Sequence, residues 1–81
     1  MLPNQNLSKA DAKWLLNDFS KLVGGSIFGK NIDSYTRAIN LIRGTKVTRP
    51  GCSCEFKLHG QTAMSLFDQY KSEIEKVANA V

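Results

Sequence analysis

The run Cys54-Glu55-Phe56-Lys57-Leu58-His59-Gly60 fits two periods, and the choice between them decides the fold. Alternation of Cys54, Phe56 and Leu58 describes the inward face of a short strand that ends at Gly60. Helical spacing instead carries the pattern onward, because Phe56, Ala63, Leu66, Phe67, Tyr70, Ile74, Val77 and Val81 share a face at a period of 3.6. Phe56, Ala63, Tyr70 and Val77 recur every seven residues, with Phe67, Ile74 and Val81 following four later. That stripe is too broad for a coiled-coil seam and suits burial in a core. Gly60 inside a helix costs about 1 kcal/mol relative to alanine. The preferred reading is one long helix from about Cys54 to Ala80, with the strand as its rival.

Two shorter helices are legible upstream. Ser8 with Asp11 three residues on forms a weaker version of the capping box, and Ala10, Trp14, Leu15, Phe19, Leu22 and Val23 recur at helical spacing behind it. Gly24-Gly25 is the stop, and the connector that follows carries Ile27 and Phe28, two large apolar residues expected to tuck onto the core. A second helix is expected from Asn31 as N-cap through Arg43, with Gly44 ending it and Ile32, Tyr35, Ala38, Ile39 and Ile42 on one face. Thr45 to Gly51 is a loop whose strongest turn signal is Pro50-Gly51. The expected fold is therefore all-α: one small three-helix domain over residues 1–81, with a long C-terminal helix. No repeat, low-complexity tract or family signature is legible.

Composition limits the function classes. At 81 residues, 42% hydrophobic and 22% charged, the chain falls in the globular range, but a domain this small buries only about 60–65% of its unfolded surface. A deep private cavity for a small-molecule substrate is not expected. Nothing approaches a membrane-spanning apolar run and the first residues lack a secretory pattern, so a cytoplasmic location, or one within an intracellularly assembled particle, is the expectation.

The net charge of +4 is local. Lysines and aspartates nearly cancel before Arg37, and acids and bases nearly cancel after Lys57. Between them Arg37, Arg43, Lys46, Arg49 and Lys57 face Glu55 alone. Such a span raises the positive potential and attracts nucleic acid or an acidic protein surface. A helix-turn-helix fails on spacing, since about seven residues separate the first two helices where that motif uses three or four. Only Tyr35 and Phe56 are aromatic near the patch, so contacts to nucleic acid would go to phosphates rather than to stacked bases.

Cys52 and Cys54, with the sole histidine His59, form the one cluster able to hold a metal or change redox state. A bridge across Cys-x-Cys closes a very small ring, and a reducing compartment keeps it open, so both are expected as thiols. Cys52, Cys54 and His59 are three candidate zinc ligands, one short of a closed site unless a second chain or a carboxylate completes it. The alternative is two small apolar side chains filling the junction between loop and helix, and no bound cofactor is the base expectation. Enzyme motifs are missing: no nucleophile, base and orienting group can be named together.

Two roles follow. The first is a non-enzymatic binding protein that engages an acidic macromolecule through the five basic residues. The second is an oligomeric, inhibitory or adaptor protein, such as a viral assembly component, whose C-terminal helix docks through Phe67, Ile74, Val77 and Val81.

Overall fold

Ser8 starts the first helix by a side-chain cap, its Oγ accepting the Asp11 backbone N–H at 3.1 Å. The computed structural model describes residues 2–22 and 31–80. Three α-helices carry the fold: α1 (Lys9–Asn17), α2 (Ile32–Arg43) and α3 (Phe56–Ala78). No strand is present among these residues, which corrects the rival reading of residues 54–60. A 3-10 turn over Ser53–Glu55 leads directly into α3, and Gly60 lies buried inside that helix. The glycine cost of about 1 kcal/mol is small against the 1.5–3 kcal/mol that each large buried side chain contributes. Leu66, Phe67 and Ile74 are all buried along the same helix.

α1 is shorter than its apolar pattern suggests. It ends at Asn17, and a 3-10 turn over Phe19–Lys21 follows, tightened by the Lys21 N–H donating to the Asp18 carbonyl at 3.2 Å. The Ser20 hydroxyl donates back to the Leu16 carbonyl, and Asn17 and Asp18 are weak helix formers; both effects favour the break. The turn drives Phe19 fully into the core. There its ring meets Tyr35 of α2 and Phe67 of α3 edge-on, at centroid distances of 6.1 and 5.4 Å, so one side chain ties the three helices together. The expected stop at Gly24-Gly25 and the connector with Ile27 and Phe28 lie outside the described residues.

α2 runs as its caps predict, although the Asn31 side chain makes no capping bond. Gly44 closes it in the left-handed conformation, φ 72°, which glycine adopts without steric penalty. Its last carbonyls are met from the N-terminus of the chain. Asn4 donates its backbone N–H to the Ile42 carbonyl at 3.1 Å and its side-chain Nδ2 to the Leu41 carbonyl at 2.7 Å. Leu2 and Leu7, on either side of this cap, are buried in the common core. The leading residues are thus an arm clipped onto the end of α2.

Candidate binding groove

Asn40 shapes the site. Its side-chain amide donates to the Val47 carbonyl at 2.9 Å, and its Oδ1 accepts both the Val47 N–H and the Thr45 hydroxyl at 2.9 Å. One side chain in the last turn of α2 thereby folds the loop back over the helix, replacing the strand ladder or helix bonds that loop backbone lacks. Val47 is held at the surface with 47% of its area exposed.

Between that loop, the end of α2 and the start of α3 lies an open groove of about 400 Å³. Ile39 and Arg43 come from α2, Val47 and Pro50 from the loop, Glu55 from the 3-10 turn, and Leu58, His59 and Thr62 from α3. A second depression of about 310 Å³ shares Arg43, Leu58 and Thr62 and continues along α3 to Gln69. Leu58 is 66% exposed. Burying a leucine contributes about 1.5–3 kcal/mol, so an exposed one forgoes most of that in the free chain.

His59 joins the groove to the core. Its Nε2 lies 2.8 Å from the Thr36 Oγ1, and that hydroxyl lies 2.9 Å from the Ile32 carbonyl. The single hydroxyl proton goes to the carbonyl, which assigns the imidazole proton to Nε2, donating to Thr36, and leaves Nδ1 as the basic nitrogen. Burial holds the His59 pKa below its ordinary value, partly offset by the nearby negative charge of Glu55.

The five basic residues do not share one surface. Arg37 turns toward α1: its guanidinium stacks 4.2 Å from the Trp14 ring centroid and donates to Asp11 at 3.3 Å. α1 thus supplies both a carboxylate and an aromatic face for Arg37, whose side chain stays half exposed. Asp11 accordingly serves Arg37. Arg49 donates to Asp33 at 3.4 Å, with both side chains largely exposed, so that pair is weak and easily exchanged. No carboxylate of the described residues comes within ion-pair distance of Arg43, Lys46 or Lys57. Of these three, Arg43 lines the groove; Lys46 and Lys57 are exposed on the loop and on the first turn of α3. Tyr35 is fully buried against Phe19 and offers no ring to a base.

The docking stripe expected on the C-terminal helix is not an exposed face. Phe67 is 4% exposed and Ile74 fully buried, while Val77 packs partly buried against the same core. Packing against α1 and α2 within the chain covers Phe67 and Ile74 and part of Val77; Val81 lies outside the described residues. Among the described residues the large apolar side chains left in solvent are Val47 and Leu58, at the other end of α3. Leu58 was legible only as part of a strand alternation, and Val47 carried no sequence signal at all.

Cys52 and Cys54 are bonded to each other as a disulfide, with Cα atoms 5.3 Å apart. This corrects the expectation of free thiols: the bend at Gly51 and Cys52 and the 3-10 turn after it bring the two α-carbons within the ordinary bridging range. It also corrects the packing reading, for both residues are exposed. In the bonded form neither sulfur is a thiolate ligand, and zinc at Cys52, Cys54 and His59 would require reduction first. Among the described residues no three His, Cys, Asp or Glu side chains gather as a metal site. No helix among them is long and apolar enough to cross a membrane.

Compared with protein-family models, curated proteins and solved structures, the chain has no match.

Proposed function

We propose that this is a binding protein whose α2–loop–α3 groove receives a short acidic segment of a protein partner carrying an apolar residue. The supporting observation is the exposure of Leu58 and Val47 beside the guanidinium of Arg43, which has no carboxylate partner among the described residues. An apolar anchor would cover Leu58 and Val47, and a carboxylate would pair with Arg43 where neighbouring protein lowers the dielectric. Lys46 and Lys57 add positive potential around the site and steer an acidic partner to it. Nucleic acid fits less well. Arg37 is engaged by α1, and a phosphate backbone would leave the exposed Leu58 and Val47 uncovered. Self-assembly through Phe67 and Ile74 would require opening the core that buries them.

Selection of random 12-residue peptides on the immobilised chain tests the reading. The expected consensus pairs Asp or Glu with a Leu, Ile or Phe. Selected peptides should bind Arg43→Glu and Leu58→Glu about tenfold or more weakly, a loss of about 1.4 kcal/mol, and high salt should weaken binding to the wild type. Basic or purely polar consensus peptides, or undiminished binding to Leu58→Glu, would overturn it. Displacement of every selected peptide by an oligonucleotide that binds Leu58→Glu equally well would favour nucleic acid instead.

A further inference from the structure

The exposed disulfide is the feature that the groove does not explain. We infer that Cys52–Cys54 is a redox-active pair that exchanges with external thiols, accepting two electrons from a dithiol in the bonded form and returning them to a disulfide in the reduced form.

Two structural roles for the cysteines fail first. They fill no core, since both are exposed, although free cysteine is among the most buried residue types. They also staple no long loop. Ser53 alone separates them, and a cross-link stabilises mainly by restricting the unfolded chain, an effect that grows with the length enclosed. What remains is chemistry. An exposed disulfide is open to in-line attack by a thiolate, and exposed bridges are the labile ones. The bridge is held where its opening disturbs little of the fold, in a bend and a single 3-10 turn outside the core cluster.

The exchange balances without any further reagent. One thiolate of the dithiol attacks a cysteine sulfur, the Sγ–Sγ bond breaks, and the other cysteine leaves as a thiolate that takes up a proton. The second thiol of the reagent, deprotonated, then attacks its own sulfur in the mixed disulfide. That step releases the first cysteine and closes the reagent's disulfide. Two electrons and two protons have passed from the dithiol to the pair. Oxidised glutathione reverses the transfer through its own mixed disulfide: one cysteine thiolate attacks it and releases one glutathione thiolate, then the other cysteine thiolate attacks the bound cysteine sulfur, re-forms the Sγ–Sγ bond and releases the second glutathione.

The test uses the full chain, air-oxidised, with dithiothreitol and glutathione as probes. Iodoacetamide quenching and mass measurement should find no adduct before dithiothreitol and two after it, with the far-ultraviolet helical signal retained. Because access is not limiting, the folded rate should fall within about tenfold of the rate in urea. With oxidised glutathione, Cys52→Ser should trap one mixed disulfide at Cys54, and Cys54→Ser one at Cys52. Two adducts without reductant would overturn the inference by showing that the bond does not form. A folded rate about a hundredfold below the unfolded one, or loss of helix on reduction, would overturn it by making the bridge structural. Failure of either serine variant to form the mixed disulfide would overturn it as well.

Discussion

At the residue scale, the same helix contains side chains of opposite consequence. Ile74 is fully buried on α3, so Ile74→Ala should cost about 2–5 kcal/mol, whereas Leu58→Ala, with two thirds of its surface already in water, should change stability by less than about 0.5 kcal/mol. Urea unfolding of the two variants checks the contrast, and comparable losses would contradict the assignment of core and groove. For a domain whose whole stability is of order 5–15 kcal/mol, the first loss is a large fraction. His59 adds a pH dependence. Its pKa is lowered in the folded chain, so the unfolded chain binds the proton first as pH falls. Stability is therefore fully present above about pH 6.5 and declines as pH drops through the lower folded value. Urea midpoints at pH 8 and pH 5 should differ less in His59→Gln than in the wild type.

At the scale of elements, the end of α2 concentrates more of the architecture than its length suggests. Gly44 has φ 72°, and a β-carbon there would come within 3.2 Å of the Asn4 side chain. Gly44→Ala thus meets both a left-handed backbone, worth about 1–2 kcal/mol against an L-residue, and the arm that caps the helix. Asn4→Ala keeps the backbone bond to Ile42, removes the side-chain bond to the Leu41 carbonyl and an exposed bond that the Asn4 Oδ1 accepts from the Asn6 N–H, and should cost about 1 kcal/mol. If thermal melts show Gly44→Ala no worse than Asn4→Ala, the cap is not built as described. Asn40 sets the neighbouring loop through three hydrogen bonds. Asn40→Ala should release Val47 and speed hydrogen exchange at its amide while α2 stays helical, since the loop depends on that side chain and the helix does not.

At the scale of the whole molecule, the disulfide contributes little to holding the chain together. The loop-entropy relation gives about 1.5 kcal/mol for so short a ring, against about 3 kcal/mol for a 15-residue loop. Cys52→Ser with Cys54→Ser should accordingly remain folded at room temperature, with a melting temperature lowered by no more than about 10 °C.

The sequence by itself determined the helical class, the extent of α2 from Asn31 to Gly44 and most of α3, because caps and a 3.6-residue apolar period act within a few residues along the chain. It also located the excess charge. Only the tertiary structure decided which apolar face stayed in solvent, which arginines were already engaged, and where the leading arm lay. Arg37 found Asp11 and Trp14 across 26 and 23 positions, and Asn4 found Leu41 across 37. Such pairings depend on how helices pack against one another, and no local period records them. The pairing of Cys52 with Cys54 is the instructive exception. Its partners are two residues apart, yet the small ring and an expected reducing compartment argued for thiols, and it took the bend at Gly51 and Cys52 and the turn after it to bring their α-carbons within bonding range.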